Sequence, residues 1–166
     1  MKTIFEGKKV VVLEHDGWEF VERKKGKSAV AILAVTDDDR IIFVEQFRRP
    51  VNARGIDFPA GLVGDEDGHD DPAETAKKEL LEETGYACES VERLTTTPTS
   101  PGITSELVTF FRARGLEKRG DGGGVGGEDI TVHHIPRTAV FDWLKRKNGE
   151  GVLIDVKVWA GLWWLG

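Results

Sequence analysis

The run Ala29-Val30-Ala31-Ile32-Leu33-Ala34-Val35 is apolar at every position, and no other feature limits the fold so strongly. Side chains on a strand alternate between two faces. An apolar residue at each successive position therefore requires cover on both faces, as in a central strand between two layers. Further strands flank it. Lys9 to Glu14 and Trp18 to Arg23 are β-rich runs around His15-Asp16-Gly17, an Asp-Gly hairpin signal. Ser28 to Thr36 and Ile41 to Phe47 read as a second pair around Asp37-Asp38-Asp39-Arg40, and Leu107 to Ala113 and Ile130 to Ile135 as later strands.

Helices occupy the spaces between and after these strands. Asp71-Pro72-Ala73-Glu74 carries an N-cap residue, a proline for the first helical position and a capping-box-like glutamate. Gly85 supplies the left-handed residue that ends the helix. Ala73, Ala76 and Leu80 form one apolar stripe, predicted to face the sheet. Ala139 to Lys147 and Val156 to Leu165 read as two closing helices, the second with Asp155 as N-cap. Gly120-Asp121-Gly122-Gly123-Gly124-Val125-Gly126-Gly127 reads as a mobile loop.

Length and composition set outer bounds. A chain of 166 residues suits one domain, and neither a repeat nor a linker divides it. Acidic residues outnumber basic ones, 29 to 23, for a net charge of −6. That balance opposes attraction to a nucleic-acid backbone and leaves room for a local basic pocket around a small phosphate ligand. No segment approaches the roughly 18 apolar residues of a membrane span. Glu6, Lys8 and Lys9 interrupt any signal-peptide core, and Cys88, the single cysteine, forms no intrachain disulfide. A reducing, cytoplasmic setting is the expectation.

The first helix carries the chemistry. At about 100° per residue, Glu79, Glu82 and Glu83 fall on one face. Three neighbouring carboxylates repel unless a cation neutralises them. A hard divalent ion fits that role, and a solvated acidic face is the alternative. The segment Gly64 to Tyr86, with Lys78-Glu79-Leu80-Leu81-Glu82-Glu83-Thr84-Gly85-Tyr86 in its second half, resembles the Nudix box, G-x5-E-x7-R-E-U-x-E-E-x-G-U, where U is a bulky aliphatic or aromatic residue. Lys78 replaces the arginine and Asp70 a glutamate. Lys78 keeps the charge one turn before Glu82 and loses the planar fork. The family's Pro-Ala-Gly is at Pro59-Ala60-Gly61, which implies that Gly61 is its glycine and that a short insertion surrounds Gly64 to Gly68.

The resemblance extends over residues 6 to 164. Gln46-Phe47-Arg48-Arg49-Pro50, Asp57-Phe58-Pro59-Ala60-Gly61-Leu62 and Ser100-Pro101-Gly102-Ile103-Thr104-Ser105-Glu106 are similar to segments of the ADP-ribose and ADP-sugar pyrophosphatase branch. Pro101, 15 residues after Tyr86, matches that branch's marker. The resemblance implies an α+β fold, an α/β/α sandwich with a mixed central sheet, a catalytic loop-helix-loop and antiparallel amino-terminal strands. It implies a single domain over 1–166, with residues 1–27 as a β appendage that pairs two copies into a homodimer.

The implied activity is Mg²⁺-dependent hydrolysis of ADP-ribose or a related ADP-sugar to AMP and a sugar phosphate, with Mn²⁺ as a possible substitute. Glu79 and Glu83 are the implied principal metal ligands, with Glu82 shared between ions and the Ala60 carbonyl as a further ligand. Trp18 and Arg23 are implied to hold the base, although Lys9 stands where a second aromatic is expected. Arg48 suits a phosphate because guanidinium matches phosphate oxygens bidentately. Arg49 should project to the other strand face. Glu128, after the glycine loop, is the implied general base, with Glu106 and Asp129 as alternatives. His133 and His134, as strand neighbours, point opposite ways and read as structural. A GDP-mannose or other nucleotide-sugar hydrolase is the second reading, and a weakened nucleotide-sugar sensor the third.

Overall fold

The computed structural model describes residues 1–26, 28–64 and 71–166. Asp70 and the interior of the expected insertion, 65–68, lie outside them. Three sheets are seen among the described residues. The first contains β1 (Lys2–Glu6), β2 (Val10–His15) and β3 (Trp18–Arg23), an antiparallel meander. Asp16 and Gly17 take positive φ, 52° and 82°, the twist that a two-residue hairpin requires.

Two four-stranded sheets form the body. One runs β7 (Ala60–Val63), β4 (Ser28–Leu33), β9 (Leu107–Lys118), β8 (Tyr86–Pro98); the other runs β10 (Ile130–Pro136), β5 (Arg40–Arg48), β6 (Ala53–Asp57), β11 (Leu153–Ile154). Each combines parallel and antiparallel pairs. Ser28–Leu33 and Arg40–Arg48 do not form the expected hairpin. A single bridge, Val35 to Ile41, joins them before they part into different sheets. The parting follows from burial: both strands are covered on two faces, and each needs its own neighbours.

Alternation along β4 explains the apolar run. Ala31 and Leu33 face a core completed by α2 (Val140–Gly149) and α3 (Val156–Leu165). Val30, Ile32 and Ala34 face a second core against α1 (Pro72–Thr84). The architecture is the expected α+β sandwich, with α1 on one side and the closing helices on the other. Gly161 allows α3 to approach β6 closely, because a Cβ there would lie 2.2 Å from Phe58 Cε2.

The α1 boundaries follow the predicted signals. The Asp71 carboxylate accepts from the Ala73 N–H at 2.8 Å, and Gly85 at φ 74° donates its N–H to the Leu81 carbonyl. Ala76 and Leu80 are fully buried. Glu74 does not complete a capping box, since it accepts from Lys77 Nζ at 2.9 Å. No helix among the described residues is long and apolar enough to cross a membrane.

Candidate active site

The polar end of α1 opens onto a cavity of about 470 Å³. Of the expected residues, Arg23, Arg48, Ala60, Glu79, Glu82, Glu83, Glu106 and Glu128 all line it. Their sources are spread along the chain. β3 brings Arg23, β5 brings Arg48, β7 brings Ala60, α1 brings the three glutamates, and the segment before β10 brings Glu128. Among the described lining residues, seven carboxylates stand beside four cationic side chains.

Glu83 is the most enclosed of the three helix glutamates, with 5% of its surface exposed. Burial pushes its carboxyl up to about 8; the Ala60 N–H, donating to Glu83 Oε2 at 3.0 Å, works against this, and the charges of Glu79, Asp57 and Glu128 add to it. Glu79 lies over Gly61, where a Cβ would fall 2.0 Å from Glu79 Oε1. Only a glycine lets that carboxylate pack against the β7 backbone. Lys78 Nζ lies 3.9 Å from Glu82 Oε1, the one-turn contact expected of it.

A carboxyl held above its ordinary range by burial, with neighbouring carboxylates adding to it, fits a divalent cation, because an oxygen-seeking ion relieves the burial and the repulsion together. Among the described residues no three such groups yet converge tightly enough to enclose an ion. Substrate oxygens and water would have to complete its shell.

The opposite wall is an ion-pair network. Arg23 Nε donates to Glu106 Oε2 at 2.8 Å, a contact across 83 residues. The Val21 N–H donates to the Ile103 carbonyl and the Ser105 N–H to the Val21 carbonyl, which docks the Ser-Pro-Gly segment against β3. Arg48 Nη2 reaches Asp57 Oδ2 at 3.5 Å, and Lys157 Nζ lies 2.9 Å from the same oxygen and 2.8 Å from Asp155 Oδ1. Burial holds the Asp57 carboxyl above its ordinary value, opposed mainly by Lys157. Burial alone would lower the Lys157 ammonium; Asp57 and Asp155 outweigh it and hold it raised.

Asp57, Asp155 and Lys157 were not singled out as site residues from the sequence. Asp57 adjoins Phe58-Pro59-Ala60-Gly61, a usable signal. Lys157 had none, because only the docking of α3 brings it to the cavity.

Three expectations change. Trp18 does not reach this cavity: it sits 61% exposed at the start of β3, five residues from Arg23 and on the other strand face. Arg49 is not a strand residue, since β5 ends at Arg48 and Arg49 opens a short 3₁₀ turn. The glycine segment is not a free loop, because it is hydrogen-bonded to the end of α1. His133 and His134 do diverge: His133 Nε2 meets Glu45 Oε2 at 3.0 Å, and His134 packs beside Tyr86. Asp129 pairs with Arg54 at 2.9 Å.

Residues 25–149 match the family model described as the NUDIX domain. The chain belongs to the Nudix family. The methanol dehydrogenase activator of Bacillus methanolicus is 38% identical to it over 155 residues, covering 89% of this chain and 82% of that protein. The ADP-ribose pyrophosphatase of Bacillus subtilis is 40% identical over 125 residues, 69% of this chain and 64% of that protein. A GDP-mannose pyrophosphatase from Cronobacter sakazakii is 31% identical over 141 residues, 80% of this chain and 70% of that protein. The solved structure of an ADP compounds hydrolase shares the fold, with a TM-score of 0.65 at 22% identity over 87% of this chain and 80% of that one. This Nudix chain is a pyrophosphohydrolase by family.

Proposed function

We propose that this Nudix enzyme hydrolyses the pyrophosphate bond of ADP-ribose or a related ADP-sugar, giving AMP and a sugar phosphate, with Mg²⁺ as cofactor. The observation that carries this reading is the meeting in one cavity of Glu79, Glu82 and Glu83 with Arg23, Arg48, Glu106 and Glu128. The 40% identity to an ADP-ribose pyrophosphatase supports the choice of substrate.

Glu79, Glu83 and Glu82, with the Ala60 carbonyl, hold the metal in this reading. When bound, Mg²⁺ offsets the charge of the pyrophosphate oxygens, which otherwise repel an incoming nucleophile. Arg48 holds a phosphate, its guanidinium kept in place from behind by the buried Asp57. Arg23, held by Glu106 at 2.8 Å, takes the nucleoside in this reading. Glu128 takes the proton of the attacking water as its oxygen bonds to phosphorus, and the bond from that phosphorus to the bridging oxygen breaks. The second phosphate leaves with the bridging oxygen.

Trp18 serves a site only through a second copy of the chain. The amino-terminal appendage, residues 1–27 in the single-domain reading of 1–166, is proposed as the dimer contact through its sheet of β1, β2 and β3. It exposes Ile4, Phe5 and Trp18, apolar area that pairing would bury. The partners are thus a small nucleoside diphosphate and a second copy, with no nucleic acid and no membrane, in a cytoplasmic setting.

GDP-mannose hydrolysis is the second reading. Lys9 is exposed, Trp18 stands outside the cavity, and a GDP-mannose pyrophosphatase is 31% identical. An Mg²⁺-dependent screen of ADP-ribose, GDP-mannose, dinucleoside polyphosphates and nucleoside triphosphates tests the assignment. ADP-ribose should give the highest kcat/KM; a clear preference for triphosphates would overturn the branch, and one for GDP-mannose would exchange the two readings.

A further inference from the structure

The glycine-rich segment has two mechanically different halves. The first is docked on the end of α1. The Gly123 N–H donates to the Glu83 carbonyl at 2.8 Å, the Gly124 N–H to the Glu82 carbonyl at 3.1 Å, and Lys118 Nζ to the Thr84 carbonyl at 2.9 Å. Carbonyls in the last turn of a helix have no partner within it, so these contacts cap α1. Glycine is required for the approach. Gly122 has φ 72°, and a Cβ there would lie 2.4 Å from the Thr84 carbonyl carbon and 2.6 Å from the Glu83 oxygen.

The second half is a short arm. The Val125 N–H donates to Glu128 Oε2 at 3.2 Å, and the Glu128 N–H to the Val125 carbonyl at 3.3 Å. Gly126 and Gly127 have positive φ and open space where a Cβ would be. Two of the three α1 residues whose carboxylates line the cavity, Glu82 and Glu83, are therefore also the residues whose carbonyls anchor the segment carrying Glu128.

We propose that Gly122, Gly123 and Gly124 are positioning residues that set Glu128 against Glu82 and Glu83, with motion confined to the arm from Val125 to Glu128. Undocking the anchor would leave the Glu82 and Glu83 carbonyls at the carboxyl end of α1 unpaired and move the base away from the acidic face in the same event. The inference rests on the reading of Glu128 as general base. It differs from a freely opening lid in naming which half stays fixed.

A double-mutant cycle on turnover of ADP-ribose with Mg²⁺ tests it. Glu128→Gln should lower kcat by roughly 10²–10⁴. Gly122→Ala should also lower kcat substantially, with little change in KM. The double variant should be no slower than Glu128→Gln, because a displaced base and a missing base are the same loss. Gly120→Ala, which keeps its N–H and adds a methyl group to open space, should match the wild type.

Wild-type turnover in Gly122→Ala, or losses that multiply in the double variant, would overturn the inference and leave the role of Glu128 standing. Undiminished turnover in Glu128→Gln would remove that role and the inference together. Amide hydrogen exchange in the unmutated protein decides the matter even if Gly122→Ala does not fold. The Gly123 and Gly124 amides should exchange more slowly than those of Gly126 and Gly127, and equal rates would sink the proposal.

Discussion

Single residues in this protein show how surroundings, not residue type, assign a carboxylate its work. Glu45 and Glu83 are both buried, yet they are pushed in opposite directions. Glu83 faces other acids and rises to about 8. Burial alone would also raise Glu45, but Lys147 at 2.9 Å, Arg54 at 2.7 Å and His133 at 3.0 Å hold it down at about 2. Three donors leave Glu45 no site for substrate, so its work is structural. A folded-state value below the unfolded one stabilises the protein above the unfolded pKa of about 4.5, and that contribution disappears as pH falls towards 2. Denaturant unfolding should show Glu45→Gln less stable than the wild type by about 3–5 kcal/mol at pH 6, as expected when one partner of a buried ion pair is removed. The gap should narrow between pH ~4.5 and ~2. A gap that stays constant across that window would contradict the assignment.

At the scale of elements, the signals that sequence carries well are those of local cause. The α1 start at Asp71-Pro72, its end at Gly85 and the α3 limits Val156–Leu165 follow from capping and periodicity, and the structure has them in those places. The uninterrupted apolar run of β4 likewise called for cover on both faces, which the two cores supply. What sequence did not show depends on partners distant along the chain. Strand β8, Tyr86–Pro98, is charged or hydroxylated at seven of the nine positions from Glu89 to Thr97, and its partly exposed surface gives no clear alternation. It is a strand because β9 pairs with it from Tyr86 to Pro98. The divergence of β4 and β5, the docked glycine segment and the arrival of Lys157 have the same origin. The acidic side of the candidate site was legible because its residues lie close together on α1 and on the segment just before it, whereas Arg23, Glu106 and Glu128 were reached only through the resemblance. Asp57, Asp155 and Lys157 were not legible, because their meeting is made by α3 packing through Gly161 against Phe58.

At the scale of the whole molecule, the cavity gathers the acidic face of α1, the ion-paired Arg48 and the Arg23–Glu106 pair within one copy of the chain. Arg23 lines the cavity with Glu106, while Trp18 lies on the far face of β3 in a sheet that also exposes Ile4 and Phe5. A second copy supplies both the cover and the aromatic group in the proposed dimer. Light scattering should therefore give about twice 18.4 kDa, and a monodisperse monomer would defeat that part of the account. The central claim is that the acidic face of α1 hydrolyses a pyrophosphate bond through a bound divalent ion. Release of AMP from ADP-ribose, followed in Mg²⁺, after chelation and after Mg²⁺ is restored, in the wild type and in Glu83→Gln, tests it most directly. The wild type should turn over, stop and resume, while the variant should be slower by orders of magnitude whenever Mg²⁺ is present; turnover that survives chelation, or a Glu83→Gln enzyme as fast as the wild type in Mg²⁺, would contradict it.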